Sequence, residues 1–176
     1  MAETIRDLLV EEMQDLYDAE KQLVKALPKM VKAASNEELS EAFGGHLEQT
    51  KGQVERLERA FEALDVKPKS KPCVAMKGLI SEAQEQIESN EKGALADSAM
   101  ICAAQKVEHY EIAGYGTLKA WAEELGLDDV ASLLQETLDE EKEADEKLST
   151  IAGKVVSETS TEESAEPAHS ARSNRR

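Results

Sequence analysis

At 176 residues, 40% hydrophobic and 33% charged, the chain is long enough for one domain with a sizeable core, and its few glycines and prolines favour a helical one. The net charge of −16 sets it against nucleic acid and anionic lipid as partners and leaves it open to cations. No apolar run approaches the roughly 18 residues of a membrane span, and the opening MAETIRDLLVEE lacks the basic head and apolar centre of a signal peptide, so a cytoplasmic protein is expected.

The first helix is predicted from about Thr4 to Ala34, with Thr4 as its cap and Asp7 at the capping-box position. Leu9, Met13, Leu16, Glu20, Leu23 and Leu27 recur at steps of three and four and form its core stripe. Glu20 falls inside that stripe; the plain alternative is a flanking charge paired with Lys21 or Lys25. Pro28 removes one backbone bond and should bend or interrupt the helix. Ser35 followed by Glu38 reads as the capping box of a second helix, which runs to about Asp65. Leu39, Phe43, His46, Leu47, Thr50, Val54, Leu57 and Phe61 make its core face, with His46, Thr50 and Gln53 along one edge and Glu48 on the other flank. A lone histidine such as His46 is more often a satisfied packing residue than a ligand. Gly44 and Gly45 cost roughly 1 kcal/mol each in a helix and suggest a close contact or a bend.

VKPKSKP, residues 66–72, is a loop, followed by a short helix from about Val74 to Asn90. The next long helix, from about Ala94 to Glu124, carries AMICAAQKVEHYEIAGYGTLKAW. Ile101, Ala104, Glu108, Ile112, Tyr115 and Lys119 share one side, with Glu111 close to it and His109 and Tyr110 adjacent. A carboxylate between Ala104 and Ile112 is costly to bury unless it is protonated, paired or bound to a cation. At a helix edge it would instead reach water. A fourth long helix, about 128–153, has a stripe of Val130, Leu133 or Leu134, Thr137, Leu138, Glu141, Ala144, Leu148 and Ile151, with Glu140 on the neighbouring edge. Beyond Val155 the sequence has no periodicity, so residues 1–154 are expected to form the domain and 155–176 a disordered tail. Cys73 and Cys102 have no zinc-site spacing.

Two helix pairs joined by a long crossover give an all-α fold, a ferritin-like up-down four-helix bundle whose crossover carries a short fifth helix. A 31-residue helix of this kind is about 46 Å long. Glu20, Glu48, Glu108, Glu111 and Glu140 or Glu141 all fall in mid-helix and can reach similar heights. Such a group cannot stay fully charged in a dry core, and two metal cations would resolve the conflict. Oxygen-rich ligation suits iron or manganese, with His46 or His109 supplying nitrogen. The matching chemistry is activation of dioxygen or peroxide, or oxidation of iron.

The segments LLVEEMQDLYDAEKQLVKALPKM, HLEQTKGQVERLERAF, CVAMKGLISE, AAQKVEHYEIAGYGTLKAWAEELG and LLQETLDEEKEADEKL together resemble the YciE/YciF family of bacterial stress-associated, ferritin-like proteins over residues 3–153. The resemblance implies a homodimeric helical bundle with a role in stress. The wider ferritin-like pattern places Glu on the first and third long helices and Glu-x-x-His on the second and fourth. Glu20 and Glu108 match it. Lys51 stands three residues after Glu48, and Glu143 and Ala144 stand three after Glu140 and Glu141, so neither histidine is at its place. The carboxylates then either bind metal with His109 or Gln53 in support, or are held by hydrogen bonds to Arg56, Tyr17, Tyr110 or Tyr115. In the second case the protein is a metal-free structural or interaction protein. The short helix is suited to cover a dimer interface. Nucleic acid and membrane are not expected as partners.

Overall fold

The computed structural model describes residues 2–165, with side chains through 157. Among the described residues five helices follow one another: α1 (Ile5–Ala33), α2 (Glu37–Ala63), α3 (Val74–Ser89), α4 (Ala94–Glu124) and α5 (Asp128–Ala165). The described residues contain no strand. Thr4 caps α1 through the full capping box with Asp7. Pro28 does not interrupt α1, which continues through it to Ala33, close to the expected end. Leu27 and Met30, on either side of the proline, are buried. Burying them at about 1.5–3 kcal/mol each offsets the bond that proline loses.

The second helix is capped one residue later than expected. Asn36, not Ser35, accepts the hydrogen bond from the Leu39 N–H. The N–H groups of Ser35 and Asn36 donate instead to the two carboxylate oxygens of Asp97, at 2.9 and 2.7 Å. Asp97 is buried in the first turn of α4 and so ties the α1–α2 turn to the start of that helix.

Every neighbouring pair of long helices is antiparallel. The Tyr17 hydroxyl on α1 donates to Glu58 on α2, while Ser40 at the other end of α2 reaches the Val31 carbonyl. Gln105 donates to Ser149, whereas Gly116 faces Leu138, which sets α4 against α5. Lys154 meets Glu38 at one end of α2–α5, and Arg56 meets Thr137 further along. α4 approaches α1 closely at Gly114, where an added Cβ would lie 3.0 Å from Leu16 Cδ2. Gly44 and Gly45, where a close contact or a bend was expected, make no close contact: both face open space. The square therefore runs α1, α2, α5, α4, and the crossover helix α3 lies against α1 and α4. This is a ferritin-like bundle with one long crossover.

The fourth long helix was expected to end near 153. It extends to Ala165, because Ile151 and Val155 are both fully buried one turn apart and no helix breaker follows before Pro167. The part of the expected tail from 166 onward, His169 included, lies outside the described residues. Among these residues no helix is long and apolar enough to cross a membrane.

The apolar interior is divided in two. One cluster gathers Leu23, Leu27, Met30, Leu39, Phe43, Met100, Ile101, Leu148 and Ile151. The other gathers Leu9, Met13, Leu16, Leu57, Phe61, Tyr115, Leu118, Leu134 and Leu138. The buried polar residues Glu20, Thr50, Gln53, Glu108, Glu111, Thr137 and Glu141 come from the intervening turns of the four long helices.

Candidate metal centre

Helical pitch assembles this polar layer. On α4, Glu108 and Glu111 are three residues apart and share a face with Ala104, Tyr115 and Leu118. The buried face of α4 thus runs through Glu111 and Leu118, rotated one residue from the expected line through Ile112 and Lys119, which are only half-buried. On α2, His46, Thr50, Gln53 and Leu57 follow one another at four, three and four residues, all buried. Glu20 of α1 and Glu141 of α5 complete the layer, both fully buried.

His46, Glu108, Glu111 and Glu141 converge. One ligand atom from each lies within 4.8 Å of the others, a separation that one cation can bridge. His46 Nε2 is 3.6 Å from Glu108 Oε1 and 3.9 Å from Glu141 Oε2. Glu20 stands beside this group and accepts a hydrogen bond from the Tyr115 hydroxyl at 2.5 Å. Gln53 Nε2 donates to Glu141 Oε1 at 2.5 Å and to Glu140 Oε2 at 2.9 Å.

Glu140 belongs to a neighbouring ionic cluster. Both of its oxygens are held by Arg56 at 2.9 Å, and the same guanidinium reaches Thr137 and Glu136 at 2.8 Å. This forked geometry is one that arginine supplies and lysine does not. Two further expected ligands are absent from the centre. Glu48 is 70% exposed and paired with Lys51, since its helix flank faces water. His109 is 67% exposed and lies 3.6 Å from Asp145. Tyr110, next to it, donates to Asp15 and contacts the Cys73 thiol.

The electrostatics of the centre follow from burial. The carboxyls of Glu20 and Glu111 are pushed well above the usual range, first because burial excludes water and then because the other carboxylates repel their charge. Glu141 is raised for the same first reason, and the nearby imidazole pulls the other way. Burial lifts Glu108 to about 7. Even so, eight buried side-chain atoms have no hydrogen-bond partner within the described residues. They are Glu20 Oε2, both ring nitrogens of His46, Gln53 Oε1, Glu108 Oε2, both oxygens of Glu111 and Glu141 Oε2. Native interiors rarely tolerate one such atom without a reason, because each costs about 1–3 kcal/mol. Their convergence fits a cation far better than it fits a closed hydrogen-bond network.

The sequence pointed to Glu20, Glu108, Glu111, Glu140, Glu141 and His46. On α2 the charge of Glu48 points to it as the ligand, whereas Gln53 is the residue that reaches the layer. The four-three-four spacing from His46 to Leu57 is the sequence signal for that buried face.

Residues 4–161 match the family model described as a domain of unknown function, DUF892. The chain is 55% identical over 150 residues to protein YciF of Escherichia coli strain K12, covering 85% of this chain and 90% of that one. Its structure resembles the crystal structure of the E. coli stress protein YciF with a TM-score of 0.86 at 53% identity, over 89% of this chain and 99% of that chain. It resembles YcfI from Rhodopseudomonas palustris with a TM-score of 0.81 at 50% identity, over 84% and 94% of the two chains.

Proposed function

The chain belongs to the DUF892 family, and on that premise we propose that it is a stress-associated ferritin-like protein whose buried layer binds one divalent transition-metal ion, iron or manganese. The stress association is supported by the description of YciF, to which the chain is similar over most of its length. The observation that carries the metal reading is Glu111, fully buried with neither oxygen partnered, beside the equally unpartnered ring of His46. Three carboxylates and one imidazole are a hard, mixed oxygen–nitrogen donor set that suits those metals better than a thiolate-seeking ion. Bound there, such an ion supplies redox and Lewis-acid chemistry.

A single ion is favoured over a pair. The Arg56 guanidinium already provides a positive charge on the Glu140 side of the layer, and Tyr115 holds one oxygen of Glu20. His46, Glu108, Glu111 and Glu141 remain as the ligand set.

Elemental analysis by mass spectrometry tests this, on protein purified without a chelating tag and loaded anaerobically with ferrous iron. One equivalent per chain is expected, lost in Glu111→Gln and His46→Ala and retained in Glu48→Ala and His109→Ala. Two equivalents, one lost in Glu20→Ala, would restore a paired centre. No stoichiometric metal would make the layer a polar network and turn the search toward protein partners.

A further inference from the structure

A cavity of about 60 Å³ opens between α2 and α5 and ends at the candidate metal centre. Its rim carries the exposed Gly45, Gln49 and Lys147, and its floor carries His46 and Glu108. His46 is 93% buried, with both ring nitrogens unpartnered, and Glu108 also has an unpartnered oxygen. The other two candidate ligands, Glu111 and Glu141, do not line the cavity. This cavity therefore reaches the layer past two of its four donors.

The wall of this cavity on α5 is Ala144, three residues after Glu141. In the Glu-x-x-His arrangement of carboxylate bundles, that position carries a histidine that fills a coordination position. Here a methyl group takes its place and lines the cavity. A volume of about 60 Å³ holds a few atoms, since a single water needs about 10–15 Å³ on the same measure. Lys147 at the rim favours a negatively charged occupant.

We propose that the α2–α5 cavity is the exogenous-ligand site of the centre, taking a two- or three-atom anionic donor of the size of azide or hydroperoxide in the position that Ala144 leaves open. The proposal rests on the metal reading above. It adds to that reading the side from which a small reactant enters, the residue that makes room for it and its chemical class.

Cobalt(II) serves as a spectroscopic metal, with azide as the probe. In the parent protein, azide should change the visible absorption of the bound cobalt in a saturable way. Ala144→Leu fills the cavity with carbon and adds no donor. It should still bind cobalt but require at least about tenfold more azide for the same change. Ala144→His should bind cobalt with an altered spectrum of its own and likewise resist azide. Circular dichroism confirms that each variant is folded, and the two substitutions differ enough in bulk and polarity for one to serve if the other does not. If cobalt fails to bind the parent, the metal reading fails and this inference falls with it. If cobalt binds and azide leaves its spectrum unchanged, or acts equally on the parent and the folded variants, the metal reading stands and the cavity is not the ligand site.

Discussion

Glu108 shows how one buried carboxyl writes itself into the stability of the whole chain. Its value is lifted from 4.5 to about 7, first by burial and then by the neighbouring Glu20. The folded state therefore holds this proton more tightly than the unfolded state does. Its contribution is fully present below about pH 4.5 and is lost as the pH rises through 7. In metal-free protein, Glu108→Gln should match the parent near pH 4.5 and exceed it above pH 7 by up to roughly 3 kcal/mol, read as urea-unfolding free energies at each pH. Parallel pH profiles would show that Glu108 is not held in this way. Arg56 is the opposite case, a cation whose partners are already in place. Arg56→Met should cost roughly 2–4 kcal/mol, below the range for a fully buried pair because the Glu140 side chain remains 24% exposed. Arg56→Lys should recover less than half of that loss in the same unfolding assay, since an ammonium cannot hold both oxygens of Glu140 and reach Thr137 and Glu136 as well.

At the scale of the helix, the elements were legible because caps and apolar stripes agree, as in Thr4 with Asp7 ahead of Leu9, Met13 and Leu16. The rotation of α4 was less legible. Alanine and glycine make several of its faces equally plausible, so Ile112 and Glu111, only 100° apart, competed for the core and the charged residue won. The role of Asp97 was not legible at all, because its partners are backbone N–H groups about sixty residues away in the chain. Asp97→Ala leaves both of those donors without an acceptor. It should lower stability by about 1–3 kcal/mol, seen as a fall in melting temperature with helicity retained in the folded baseline. Two glycines should separate in sign. Gly44→Ala adds a methyl into open space and should stabilise α2 by about 0.5–1 kcal/mol. Gly114→Val presses branched carbons into Leu16 at the α1–α4 contact and should cost about 1–3 kcal/mol. Thermal melts of both variants check this, and a gain at both positions would remove the close approach from the account.

For the whole molecule, the division of the core into two apolar clusters around a charged layer makes stability depend on what occupies that layer. A ligand that binds only the folded chain stabilises it by about 2.7 kcal/mol at a free concentration one hundred times its dissociation constant. In a domain of this size that corresponds to a rise in melting temperature of roughly 5–11 °C. Anaerobic ferrous or manganous ion should produce such a rise, and a chelator should reverse it. The rise should be larger at pH 8 than at pH 5.5, because the ion must displace protons from carboxyls whose affinity for them is raised. A net charge of −16 means that cations also gather over the outer surface, and this screening alone would stabilise the fold to some degree. The two effects part company in Glu111→Gln, which keeps nearly all of the surface charge and loses a central ligand. A rise confined to the parent places the ion in the layer. An equal rise in the variant would assign the stabilisation to the acidic surface and leave the buried carboxyls to be explained by protonation alone.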